Sequence, residues 1–342
     1  MKMVPVQSAI GMVLCHDVTR IIPGRSKGPA FKKGRILLEE DVPMLLSMGK
    51  EHVYVWDIQA GSGLLHEDEA AVRIAQAAAG RHIALSTPSE GKVNLAATID
   101  GLLKIDLDAL FDVNAEGIIF ACLHTHQRVA KGKTIAGTRV IPLVIEEHKV
   151  ERVERICARH RPLIEVMPFK KFKVGIVTTG SEVYHGRIED QFGPVVREKL
   201  GEFGCSVIGQ TLVSDDQKRI VEEIRSFLNL GAEMIVVTGG MSVDPDDVTP
   251  AAIRECGARV VTYGVPVLPG SMFMLAYLGD VPLLGLPGCV MYHKTSIFDV
   301  ILPRLLAGDA ITRKDFAQMA HGGLCVHCKE CRYPDCGFAK GV

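Results

Sequence analysis

The chain has 342 residues, of which 47% are hydrophobic and 23% charged, with a formal net charge of −1; this length suits two or three domains. Near-neutrality gives no electrostatic ground for DNA or RNA as the main partner, and sparse aromatic residues argue against base-stacking platforms. No apolar run reaches the roughly 18–20 residues that span a bilayer, and residues 1–10 are too mixed for a signal peptide, so a cytoplasmic location is the expectation.

Residues 1–80 read as a first unit. A short helix is predicted over 40–48, a strand over 53–56, and a helix over 66–79 ended by Gly80. Gly24, Gly28 and Gly34 lie among basic residues in a loop and hairpin. Arg20, Arg25 and Lys27 are candidates for an anion-lined cleft, with a surface loop as the simpler reading. Residues 81–168 read as a small α+β or barrel-like domain. Strands are predicted at 83–85, 117–120 and 139–145, then a charged helix over 146–160 ended by Arg161-Pro162. His124 and His126 would share a side with Cys122 if that segment were extended, a weak metal candidate. Lys170, Lys171 and Lys173 read as a solvated linker.

From 169 to 310 strands and helices alternate. Strands are predicted at 173–178, 206–213, 233–238, 259–265, 273–278 and 282–286. Helices are predicted at 193–203, 216–229, 249–256 and 290–305. Repeated βα units with continuous apolar strands imply an α/β fold, a mostly parallel sheet covered by helices, behind smaller α+β N-terminal domains. In such sheets ligands bind at the carboxyl ends of the strands.

Four loops fall at those ends. Thr178-Thr179-Gly180-Ser181-Glu182 and Gly239-Gly240-Met241-Ser242 offer backbone N–H groups and hydroxyls to an anion. Pro269-Gly270-Ser271 and Gly285-Leu286-Pro287-Gly288-Cys289 complete the set. Asp215, Asp244, Asp246 and Asp247 are carboxylates that could hold Mg²⁺ beside a phosphate. Each also precedes a helix, where capping is an equally simple role. Cys289 reads either as a small buried residue or as a contact to the ligand.

Together these motifs resemble the molybdopterin-binding domain shared by molybdopterin adenylyltransferases and molybdopterin molybdotransferases. The resemblance covers about two-fifths of the chain, over 173–306, and includes Val213-Ser214-Asp215-Asp216. The Pro269-Gly270 and Gly285–Gly288 loops lean towards molybdotransferases, as do Ser8–Leu14 and residues 33–56 in compressed form. It implies molybdopterin or its adenylylated form as ligand, molybdate as co-substrate, Mg²⁺, and a homodimer. Thr179, Gly180, Ser181, Glu182, Gly239, Gly240, Met241, Ser242, Pro269, Gly270, Ser271, Pro287, Gly288 and Cys289 would bind the cofactor. Asp215, Asp246 and Asp247 would be catalytic, with Asp244, Asp246 and Asp247 on magnesium. The chain departs from the family pattern at Asp190-Gln191-Phe192 and at Cys289, where the family usually has asparagine. Those departures motivate a second expectation, a non-catalytic cofactor carrier or sensor; adenylyl transfer to molybdopterin is a third.

Six of the ten cysteines are scattered and read as small buried residues of a reducing compartment. The other four, Cys325, Cys328, Cys331 and Cys336, crowd into a segment over 315–342 that follows a predicted hinge at Gly322-Gly323. Four thiolates at this spacing suit either tetrahedral Zn²⁺ or a small iron–sulfur cluster, with His327 and, more weakly, His321 as alternative zinc ligands. This segment is not part of the usual molybdotransferase pattern. It could sense redox state or recruit a molybdoenzyme or cofactor-pathway protein.

Overall fold

The computed structural model describes residues 1–22, 26–56, 63–160 and 162–341. Gly24, Arg25 and Arg161 therefore lie outside the described residues, and no structural statement attaches to the roles expected of them. The chain groups into two compact units. One comprises Met1–Ala96, Asp106–Cys122 and Thr134–Leu163; the other comprises Ala97–Ile105, Leu123–Lys133 and Ile164–Val342. The contacts thus do not follow a division at 80 and 168, because two middle segments group with the C-terminal half.

In the first unit Lys2–Pro5 pairs antiparallel with His52–Val55, Val18–Ile22 with Ser26–Phe31, and Leu64–His66 with Val144–Glu146. A four-stranded sheet takes the order Ile83–Leu85, Lys92–Ala97, Thr134–Val140, Ile118–Cys122. The strand expected over 139–145 is instead two strands, interrupted at Pro142, which has no backbone N–H to give a ladder. Helix Glu67–Ala78 forms as its sequence dictates. The His66 side chain accepts the Asp68 N–H, acidic residues fill the first turn, and Ala70, Ala71, Ile74, Ala75 and Ala78 form the buried stripe.

The second unit is built on a six-stranded sheet. Its strands are β1 (Lys173–Thr179), β2 (Ser206–Val213), β3 (Met234–Thr238), β4 (Arg259–Tyr263), β5 (Met274–Leu278) and β6 (Val281–Leu286). Its main helices are α1 (Phe192–Gly201), α2 (Gln217–Asn229), α3 (Thr249–Glu255), α4 (Ile297–Leu306) and α5 (Arg313–Gln318). The spatial order is β2-β1-β3-β6-β5-β4. β2, β1, β3 and β6 are mutually parallel, and β5 runs against both neighbours. The apolar strands alternate between two cores. Val174, Ile176, Val236 and Leu284 face α1, α4 and α5. Val177, Ile235, Val237 and Leu283 face α2 and α3. Helices therefore cover both faces, as continuous apolar strands require. A three-stranded antiparallel sheet, Arg128–Val129, Gly101–Ile105 and Ile164–Pro168, belongs to the same unit.

The single helix expected over 290–305 is broken. A short turn of helix, Cys289–Tyr292, ends before α4, and Ser296 begins α4 with a capping box that includes Asp299. The extended segment that would align His124 and His126 with Cys122 ends at Cys122, and His126 instead adopts a left-handed backbone with φ of 61°. Among the described residues no helix is long and apolar enough to cross a membrane.

Candidate functional site

Strand register brings the loops to one end of the sheet. Thr178 pairs with Thr238, Thr179 with Val213, and Thr238 with Leu286, so β1, β2, β3 and β6 finish together. Because β5 is reversed, its first residue, Met274, lies opposite Gly285, and the loop carrying Pro269-Gly270-Ser271 enters at the same end.

Small polar side chains knit that end. The Thr179 and Thr249 hydroxyls stand 3.2 Å apart, and Thr249 donates to the Gly239 carbonyl at 2.9 Å. Gly239 and Gly240 have φ of 88° and 56°. A Cβ on Gly239 would overlap the Thr179 carbonyl oxygen, and one on Gly240 would stand 2.8 Å from the Thr249 hydroxyl. Glycine is required there twice over, by conformation and by close approach. Gln210 links β2 to this end through Nε2, which donates to the Thr178 hydroxyl at 3.0 Å and to Asp190 at 2.5 Å. Asp190 in turn accepts the N–H groups of Phe192 and Gly193, at 2.9 and 3.0 Å, where α1 begins. Neither Gln210 nor Asp190 was singled out as a site residue from sequence. The visible signals are that Asp190 lies just before a helix and that Asp190-Gln191-Phe192 departs from the family pattern.

The acidic residues divide by role. Asp216 caps α2, accepting from the N–H groups of Lys218 and Arg219. Its neighbour Asp215 instead accepts the Ser181 N–H at 2.8 Å. The Gly180 N–H donates to the Val213 carbonyl at 3.1 Å. Two backbone donors expected for phosphate are thus engaged within the protein. Asp247 accepts the Ser242 N–H at 2.6 Å and closes the second loop, while α3 has no side-chain cap. Asp244 and Asp246 are exposed. The Tyr263 hydroxyl donates to the carbonyls of Met241 and Ser242 at 3.0 and 3.3 Å.

Other expected contacts lie deeper. Met241 is buried in the α2–α3 core, and Gly285 gives it room, since a Cβ there would stand 2.6 Å from its sulfur. Its side chain is therefore a packing element, and only its backbone lines the loop. Pro269, Gly270 and Pro287 are buried, whereas Ser271 is half-buried and Glu182 and Gly288 are exposed. Cys289 is half-buried, and burial pushes its thiol pKa upward, which keeps it protonated and a poor nucleophile. Among the scattered cysteines, Cys15 and Cys157 are buried with thiols pushed up to about 11 by burial.

Among the described residues no group of three or more His, Cys, Asp and Glu side chains stands ready to hold one metal ion. This applies to the expected magnesium set Asp244, Asp246 and Asp247, where Asp247 is turned to the Ser242 N–H. It applies also to Cys325, Cys328, Cys331 and Cys336, of which Cys331 pairs with the Thr295 hydroxyl at 3.1 Å.

Residues 175–307 match the family described as "Probable molybdopterin binding domain". This match covers about two-fifths of the chain. Residues 3–57 match a domain of unknown function. A molybdopterin molybdenumtransferase of Synechococcus elongatus is 25% identical over 143 residues, which are 40% of this chain and 36% of that protein. A CinA-like protein of Mycobacterium tuberculosis is 34% identical over 90 residues, 26% of this chain and 21% of that protein. The matched segments thus span only about a third and a fifth of these relatives' lengths. Among solved structures, the molybdopterin biosynthesis enzyme MoaB of Thermus thermophilus is 24% identical, covering 40% of this chain and 98% of that one with a TM-score of 0.33. The tungsten cofactor synthesizing protein MoaB of Pyrococcus furiosus is 20% identical, covering 40% and 91% with a TM-score of 0.33.

Proposed function

We propose that the chain binds molybdopterin, with the ligand at the shared end of β1, β2, β3 and β6, and that it inserts molybdenum into adenylylated molybdopterin. The observation that carries this reading is the register that gathers Thr178–Ser181, Gly239–Ser242 and Gly288–Cys289 at one end of a sheet of this domain family. Gly240, Ser242 and Gly288 would meet the phosphate and pterin, with Thr179 and Ser271 nearby. Buried Met241, Pro269 and Pro287 would shape the loops from behind.

Magnesium fits this donor set. The ion takes one or two protein carboxylates, keeps several waters and shares substrate phosphates, so exposed Asp244 and Asp246 suffice without a closed cage. Bound there, it would neutralise phosphate charge as the adenylyl group leaves. Asp215 would act by holding the Ser181 N–H in place, and Asp247 by holding Ser242. We take the active form as a cytoplasmic homodimer. The four clustered cysteines are a second metal site, for zinc or an iron–sulfur cluster, that could also recruit a cofactor-pathway protein.

A carrier role is the rival reading, favoured by the engagement of Asp215 and Asp247 with backbone and by the protonated Cys289 thiol. Incubating the protein with adenylylated molybdopterin, molybdate and Mg²⁺ tests both. Metal-dependent AMP release supports insertion, and tight binding without release supports the carrier. AMP incorporation from ATP into molybdopterin would assign adenylyl transfer instead.

A further inference from the structure

The cysteine-rich segment is built into the second unit at both of its ends. Near its start the Leu268 N–H donates to the Gly323 carbonyl and the Cys325 N–H to the Leu268 carbonyl, both at 2.8 Å. Beyond the cysteines, Phe338 and Ala339 are buried in the core that also holds Phe316 and Met319. Between these anchors the Tyr333 hydroxyl donates to the Asp299 carbonyl at 3.1 Å, and Asp335 accepts from Gln127 and Lys133 at 2.7 and 2.5 Å. Gly323 packs so closely that a Cβ would overlap the Pro266 carbonyl oxygen. The expected hinge is therefore a fixed crossing.

This arrangement borders a partly open cavity of about 530 Å³, and all four of Cys325, Cys328, Cys331 and Cys336 line it. The His293 and His327 rings, with centroids 5.4 Å apart, form part of the wall, and Leu324 and Phe338 add apolar surface. His327, between the first two cysteines, has a left-handed backbone with φ of 49°, which turns the Cys325–Cys328 stretch on itself.

The geometry points to a four-iron, four-sulfide cluster held in this cavity by the thiolates of Cys325, Cys328, Cys331 and Cys336. Two observations choose the cluster over a single ion. The gaps Cys325-x2-Cys328-x2-Cys331 repeat the close spacing that wraps one chain around such a cluster. All four cysteines line one space far larger than a single ion. The Thr295 hydroxyl, 3.1 Å from the Cys331 sulfur, would donate to a bound thiolate, and such bonds tune a cluster. Exposed Cys328 and Cys331 leave one side open to water. Leu268, which holds Cys325, also leads into the Pro269-Gly270 loop, so the cluster is tied by backbone to the ligand end of the sheet.

This deepens the reading of the segment as a metal site and is independent of the pterin. The test is to purify the full chain under anaerobic conditions from cells supplied with iron, and to measure iron, acid-labile sulfide, zinc and the visible spectrum. The expected result is a brown protein with about four iron and four sulfide per chain. Cys328→Ser and Cys331→Ser, at exposed positions, should each lose most of the iron and sulfide while keeping the thermal transition of the metal-free chain. Cys205→Ser, away from the cavity, should keep both. Stoichiometric zinc without sulfide would overturn the cluster alone. Absence of any metal would overturn the metal site as well. Undiminished iron in both serine variants would overturn the ligand assignment.

Discussion

Asp215 accepts the backbone N–H of Ser181 at 2.8 Å, joining the end of β2 to the loop after β1. A carboxylate that positions a loop makes a different prediction from one that binds metal. Asp215→Asn retains a carbonyl acceptor and should bind molybdopterin within a few-fold of the native chain. Asp215→Ala leaves the N–H without its partner and should weaken binding about tenfold or more, since a lost charge-assisted bond is worth about 1.5–3 kcal/mol. Titration of both variants with molybdopterin decides the matter. Equal losses would give Asp215 a direct role in metal or ligand binding.

Asp246 is exposed, so Asp246→Asn should leave the melting temperature nearly unchanged. If it holds magnesium, AMP release should fall at least tenfold, with partial recovery at higher Mg²⁺. Rates measured across a magnesium series would show this. An unchanged magnesium dependence would remove Asp246 from the metal site.

At Gly239, substitution should damage the site through packing. Gly239→Ala drives a methyl group into the Thr179 carbonyl and strains a left-handed backbone. A cost of about 1–3 kcal/mol is expected from overpacking, visible in denaturant unfolding, together with loss of ligand binding. The neighbouring Ser242→Ala removes only a hydroxyl and should unfold like the native protein.

His126 should set part of the acid limit of the fold. Its Nε2 faces the Lys104 ammonium at 2.9 Å, an arrangement that suits an unprotonated ring nitrogen, and Arg304, Asp309 and Asp315 also surround it. Burial, reinforced by Arg304 and Lys104, holds its pKa down at about 3. In the unfolded chain an ordinary histidine takes a proton near pH 6.5, which the folded ring refuses until about pH 3. Stability is therefore complete above about pH 6.5 and is lost as pH falls through that window, by at most about 1.4 kcal/mol per pH unit. Unfolding measured at pH 7 and pH 5 should show this slope, and His126→Asn, which tolerates the left-handed backbone, should flatten it. An identical slope in the variant would assign the loss to other groups.

The parallel sheet was legible because its central strands carry compact apolar runs that lead into glycine-bearing loops, as at Val174–Val177 and Met234–Val237. The break before α4 was hidden because mainly apolar residues lie on both sides of it, in Cys289–Tyr292 and in α4, although Ser296 and Asp299 carry the spacing of a capping box. The roles of Asp215 and Asp216 could not be separated in sequence, since both precede α2 and only packing turns one of them towards Ser181. Met241 looked like a loop residue, and its burial depends on Gly285, which lies far along the chain but adjacent in the sheet. Strands Lys92–Ala97 and Gly101–Ile105 were missed because each is only five or six residues long, although Lys92–Ala97 alternates between exposed or half-buried and buried positions.

The docking of Leu324–Cys325 on Leu268, and of Phe338–Ala339 in the core, has a consequence for how metal would be loaded. In a zinc finger the ion organises an otherwise unfolded chain, so binding and folding are one event. Here the cysteines occupy a short span whose two ends are already pinned, and the entropy of closing that span is spent by the apolar core. Assembly would be local, reversible and separable from folding, with the empty form persisting as a stable receiver that donor proteins can fill or strip.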